Sequence, residues 1–177
     1  FSAATAVAGH AAATVQAGKA YVCGVTGLDE GTLAAIKEAA KKIPVIYTTN
    51  TSLSLVVMKQ IAKLAAKLLQ DQDYDVAILD QHHRWKQDAP SGTAKTLGEA
   101  VVAGNGGKHQ PRYSDIRAGA IIGEHDVIFA GMDEVITLKH SVSNRDIFAR
   151  GALHAALWLN GKPAGLYTMD DVLGVTT

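Results

Sequence analysis

Small apolar residues dominate positions 5–17, and their spacing predicts a helix that ends at Gly18. Tyr21 to Val25 then reads as a short apolar run, the pattern of a strand buried on both faces. Gly27 and Asp29 mark a turn. Leu33, Ile36, Ala39 and Ala40 recur on one helical face and predict a helix over 32–42. Pro44 stops it, and Val45-Ile46-Tyr47 predicts a second strand. Strand, helix and strand at this spacing make a βαβ unit with a right-handed crossover. This opening therefore predicts part of a doubly wound α/β domain.

Ser52 or Ser54 can cap the next helix, over 55–69, whose apolar positions include Leu55, Met58, Ile61, Ala62, Ala65, Leu68 and Leu69. Residues 74–79 alternate and predict a strand that runs straight into His82 and His83. A helix over 93–102 follows. The polar, glycine-rich stretch 103–112 reads as a mobile loop. From Ile116 the texture changes: 121–122, 126–129 and 135–140 predict antiparallel strands, the last two joined by a hairpin turn over 131–134. A helix over 146–159 ends at Asn160-Gly161 and Pro163. The middle is α+β, flanked by pieces of something α/β.

Composition narrows the class. The chain has 177 residues, 47% of them hydrophobic and 19% charged, which suits a globular protein. Its 17 basic and 17 acidic residues cancel, so no overall field exists to attract nucleic acid or an anionic membrane. A local cationic pocket stays open. The single cysteine, Cys23, sits in an apolar run, reads as a buried thiol and fits a reducing, cytoplasmic setting. No apolar stretch is long enough to span a bilayer, and no signal peptide is visible. The first residue is Phe1 rather than Met, and the chain opens as if in mid-domain, which predicts a processed or truncated chain.

The chemistry concentrates in DQHHRWKQDAPSGTAKTLGEA, residues 80–100. Pro90-Ser91-Gly92-Thr93 opens a helix, and helix N-termini offer unpaired N–H groups and the positive end of the dipole to anions. An ordinary capped helix start explains the same residues. If extended structure persists past the strand, His82, Arg84 and Lys86 share one side, a set suited to a carboxylate substrate that must also be protonated. A metal site is the rival, using His82 or His83 with Asp80, His125 or His140, although adjacent histidines are a weak metal signal. His125 and His140 otherwise read as polar positions on a sheet face. Gly24-Val25-Thr26-Gly27 and Thr48-Thr49-Asn50-Thr51 each end a predicted strand, where open parallel sheets bind ligands. No G-x-G-x-x-G loop occurs, so a dinucleotide site would lack its pyrophosphate cradle here.

HHRWKQDAPSGTA closely resembles the signature of the dihydrodipicolinate reductase family, enzymes of the diaminopimelate route to lysine. GVTG, TTNTSLSL, GEHDVIFAG, ARGALHAALWL and GLYTMDDVLG resemble further family segments, in order along essentially the whole chain. Val25, Thr49 and Asp80-Gln81 depart from the family pattern, without touching the proton donors. The resemblance implies a partial Rossmann-like dinucleotide-binding domain at 1–52 and 146–177, with an inserted substrate and tetramerisation domain of mixed sheet and helices at 53–145. It implies His82 as acid/base residue, Lys86 as a second proton donor, and His83, Ser91, Gly92 and Thr93 as the substrate-binding set, Ser91 by shaping the loop. It places Gly24, Val25, Thr26, Thr48, Thr49, Asn50, Thr51, Arg145 and Phe148 at the cofactor, NADPH or NADH. It further implies a small dicarboxylate substrate, a homotetramer, and a phosphate loop that would precede Phe1. The 177 residues alone are then expected to be inactive. A hydrolase using the histidines, a non-catalytic dicarboxylate-binding module and a reductase of another cyclic acid remain alternatives at this point.

Overall fold

A computed structural model of the chain describes residues 3–175. Its elements are, in chain order, α1 (Val7–Gln16), β1 (Tyr21–Cys23), α2 (Glu30–Ala40), β2 (Pro44–Tyr47), α3 (Leu53–Leu69), β3 (Asp75–His82) and α4 (Gly92–Gly104). Then come β4 (Arg112–Arg117), β5 (Glu124–Ala130), β6 (Val135–Ser141), α5 (Asp146–Leu159), β7 (Gly165–Tyr167) and α6 (Met169–Val172). They divide into two compact units. One runs to Leu53 and resumes at Asp146; the other is Ser54–Arg145.

The first unit holds a parallel sheet of order β1-β2-β7, with Val22 opposite Ile46 and Ile46 opposite Tyr167. Val45 and Ile46 are both fully buried, so adjacent residues on opposite faces of β2 are covered, which is why the strand reads as a continuous apolar run. Val7, Ala11, Cys23, Val25, Ile36, Ala39 and Ile43 complete that core. Asp29 caps α2, its carboxylate accepting from the Thr32 amide at 2.7 Å.

The second unit holds a four-stranded sheet of order β4-β3-β5-β6; β3 and β4 are parallel, the other pairs antiparallel. Burial along β3 alternates strictly, with Val76, Ile78, Asp80 and His82 facing inward. Val76 and Ile78, with Val127 and Phe129 of β5, pack on Leu55, Met58 and Ala62 of α3 and on Leu97 and Val101 of α4. Each large side chain buried this way contributes about 1.5–3 kcal/mol.

Three expectations are corrected. Residues 121–122 lie outside any strand, and β5 begins only at Glu124. The expected loop over 103–112 is shorter, because α4 continues to Gly104 and Arg112 already opens β4. β4 is an edge strand whose first five residues are exposed, so no buried face imprints an alternating pattern on its sequence. The extended backbone also stops at His82. The Lys86 amide donates to the His83 carbonyl at 3.1 Å, closing a turn, so His82, Arg84 and Lys86 do not share one side of a strand.

Candidate active site

The inward stripe of the four-stranded sheet changes character along its length. Val76 and Ile78 are core, and the next two inward positions of β3 are Asp80 and His82. Asp80 registers with His125 of β5, which in turn registers with His140 of β6. A row of ionisable groups thus replaces the apolar row, on the same face.

Asp80 is fully buried. Its Oδ2 accepts from the Ser91 amide at 2.7 Å and from Arg117 Nη2 at 3.0 Å. Its Oδ1 lies 2.7 Å from His82 Nδ1 and 3.4 Å from His125 Nε2. Burial alone would raise this carboxyl's pKa. The neighbouring His125 and His82, the Ser91 amide and the Arg117 guanidinium together outweigh it and hold Asp80 far below the usual carboxylate range. The His82 and His125 rings meet edge to face, centroids 5.1 Å apart. Burial and the nearby His125 lower the pKa of His140, whose Nε2 is 3.1 Å from Ser54 Oγ.

Arg117 ties this centre to the loop that follows β3. It donates to the carbonyls of Asp80 at 3.1 Å and Asp88 at 2.8 Å, besides the Asp80 carboxylate. Within that loop Lys86 Nζ pairs with Asp88 Oδ1 at 2.7 Å. His83 is half-buried, its ring 5.8 Å from that of the exposed Trp85.

Ser91 caps α4, its hydroxyl accepting from the Ala94 amide at 3.2 Å and standing 3.2 Å from His125 Nε2. Both its amide and its hydroxyl are engaged by the fold, so Ser91 shapes the loop. Gly92 is exposed, and a Cβ there would meet nothing within 4 Å. The surrounding protein therefore leaves room for a side chain at this place.

Asp80 Oδ1, His82 Nδ1 and His125 Nε2 lie within 4.8 Å of one another and form a donor set of the kind metals take. The geometry suits a shared proton better. Oδ1 and Nδ1 at 2.7 Å are closer than two ligands on one zinc, about 3.3 Å for bonds near 2.0 Å at tetrahedral angles. Arg117 already neutralises the carboxylate from its other side.

In the first unit, Gly24, Thr49, Asn50, Thr51 and Phe148 line a cavity of about 200 Å³ beyond the carboxyl ends of β1 and β2. The loop lining it is prebuilt. Thr48 Oγ1 donates to the Asn50 carbonyl at 2.7 Å and accepts from its amide at 3.2 Å. Asn50 Oδ1 accepts from the Ser52 amide at 2.9 Å, and Thr51 Oγ1 donates to the Phe148 carbonyl at 2.7 Å. The Val25 side chain is buried in the core, Thr26 is exposed, and Arg145 is exposed in the turn before α5. The crevice lies at the end of a parallel sheet where such sheets bind ligands.

The family described as "Dihydrodipicolinate reductase, C-terminus" matches residues 54–173, and "Dihydrodipicolinate reductase, N-terminus" matches residues 1–51. The chain belongs to the dihydrodipicolinate reductase family. It is 51% identical over 158 residues to a 4-hydroxy-tetrahydrodipicolinate reductase of Xanthomonas euvesicatoria, covering 89% of this chain and 64% of that protein. It is 46% identical to the reductase of that name from Gluconobacter oxydans, covering 96% of this chain and 74% of the relative. A dipicolinate-bound dihydrodipicolinate reductase from Paenisporosarcina sp. TG-14 shares the fold, with a TM-score of 0.74 at 22% identity, covering 95% of this chain and 69% of that one. Sequence reasoning about this reductase-family chain weighed Asp80 only as a metal ligand and did not single out Arg117. Asp80 had a signal: it shares the inward parity of Val76 and Ile78. Arg117 had none, because its strand was not visible.

Proposed function

We propose that the protein carrying this chain is a 4-hydroxy-tetrahydrodipicolinate reductase of the diaminopimelate route. It reduces its cyclic dicarboxylate substrate with NADPH or NADH, yielding tetrahydrodipicolinate and water. The observation that carries the reading is His82 at the end of β3, Nδ1 against the buried Asp80, with the α4 N-terminus tied to the same carboxylate. The names of the relatives at 51% and 46% identity support it. When bound, the reduced nicotinamide supplies hydride. His82 then donates the balancing proton, and Lys86 serves as second donor once a substrate carboxylate competes with Asp88 for its ammonium. Gly92 and Thr93 take one substrate carboxylate at the start of α4, and His83 contacts the ring. Gly24, Val25 and Thr26, with Thr48 to Thr51 and Phe148, bound the nicotinamide, Val25 through its backbone; Arg145 is assigned to the cofactor by the family resemblance. Exposed Ile116, Val135 and Ile136 on the outer strands of the four-stranded sheet support a homotetramer through that unit. Among the described residues no helix is long and apolar enough to cross a membrane, and we assign the enzyme to the cytoplasm.

Steady-state assay of the full-length protein tests this. Turnover of the dicarboxylate with NAD(P)H is expected, with competitive inhibition by pyridine-2,6-dicarboxylate. His82→Ala should lower kcat about 10²–10⁴-fold, the worth of a positioned general acid. His83→Ala should act mainly through KM, as a contact equal in ground and transition states does. Equal, small effects of the two on kcat would remove the role given to His82.

A further inference from the structure

Asp80 is fully buried, and groups from three strands and a helix converge on its carboxylate. These are His82 beside it on β3, Arg117 on β4, His125 on β5 and the Ser91 amide at the start of α4. We propose that Asp80 is a positioning residue for the proton donor: it holds the His82 ring with a proton on Nδ1, so that Nε2 is the nitrogen that gives up its proton. The proposal rests on the function stated above and adds a residue to it.

A bare Nδ1 only 2.7 Å from a carboxylate oxygen would be repelled, whereas a proton on that nitrogen is attracted. The carboxylate does not take that proton for itself, because Arg117 and the Ser91 amide both favour its ionised form. The opposite edge of the ring lies against Gly123, where a Cβ would stand 3.2 Å from Nε2 and 3.4 Å from Cδ2 and would crowd it. The proton balance then closes. The nicotinamide gives hydride to one end of the substrate's conjugated double bond, the imidazolium gives its Nε2 proton to the other end, where the electron pair collects, and the neutral ring keeps Nδ1–H, the tautomer the carboxylate prefers. Because Oδ2 also holds the Ser91 amide, one side chain sets both the proton donor and the helix start that takes the anion.

Asp80→Asn discriminates this from a purely structural role. Its amide oxygen can keep the Ser91 and Arg117 donors, which leaves its NH₂ facing Nδ1 and favours the tautomer with the proton on Nε2. In the full-length protein, ¹⁵N-histidine spectra are expected to show Nδ1–H for neutral His82 in the wild type and Nε2–H in D80N. The variant's kcat should fall about 10²–10⁴-fold, with KM for the dicarboxylate within about threefold, because the productive tautomer and not binding is lost. Nε2–H in the wild type overturns the proposal without any variant, and so decides the matter even if D80N does not fold. A folded D80N with wild-type kcat overturns it equally. A wild type that shows Nδ1–H but turns over no substrate sinks the function proposed above, whereas an active wild type with Nε2–H sinks only this inference.

Discussion

The two units build their candidate sites from different materials. The cavity in the first is edged by backbone and hydroxyl groups: Thr48 and Asn50 fold the loop onto itself, and Thr51 bonds the Phe148 carbonyl at the start of α5. The centre in the second is a cluster of ionisable side chains occupying the inward row of a sheet. A site of the first kind depends on how closely segments approach, and its side chains carry little of the chemistry. A site of the second kind depends on residue identity, because each buried charge is tolerated only through its partners.

Arg117→Leu gives the largest expected effect and tests the second half of the contrast. It removes the guanidinium 3.0 Å from a fully buried carboxylate, together with the bonds to the Asp80 and Asp88 carbonyls. Breaking a buried pair from one side costs about 3–5 kcal/mol. Denaturant unfolding of the full-length protein should show a loss of that size. A variant as stable as the wild type would mean that the network is not held by its charges.

Gly151→Ala tests the first half. A Cβ at this position of α5 would stand 1.9 Å from the Thr51 carbonyl oxygen, a backbone atom that cannot swing aside. Alanine's better helix propensity favours the variant by about 1 kcal/mol, but overpacking against backbone costs about 3 kcal/mol, so a net loss of about 2 kcal/mol is expected. Thermal melts should show it, and calorimetry should show weaker binding of the reduced nicotinamide, since the displaced Thr51 lines the cavity. Unchanged binding would mean that the 48–52 loop is not the cofactor edge.

The same contrast explains what the sequence let one read. The first unit's β1, α2 and β2 were legible because β2 is buried on both faces and α2 keeps one apolar stripe, whereas the short β7 and α6 were not read from the sequence. The His-His pair and the Ser-Gly-Thr helix start of the second unit stood out by residue type as candidates, while the roles proposed for them came from the family resemblance. Arg117 was hidden: β4 is an exposed edge, and which inward residue an arginine on a neighbouring strand will meet is set by register, here His82 opposite Arg117. Gly151 was hidden for a related reason. Nothing near it in sequence announces that Thr51, far along the chain, will lie against it.

The smallest expected effect compares two carboxylates whose pKa values are both lowered. Asp29 is exposed and depressed mainly by the Thr32 amide that it caps, whereas Asp80 is buried and depressed by a set of partners. A group whose pKa is lower in the folded state stabilises the fold above its unfolded value and loses that contribution as pH falls through the folded one. For Asp29 the window therefore opens near pH 4 and extends downward. Asp29→Ala should lower Tm by less than Gly151→Ala does at neutral pH, and the difference from wild type should shrink as the pH is taken below 4, where the wild-type cap is itself protonated. Melts of both proteins across that range decide it. A difference that persists undiminished at low pH would show that the charge of Asp29 is not what starts α2, and would leave Asp80 as the carboxylate whose ionisation the fold depends on.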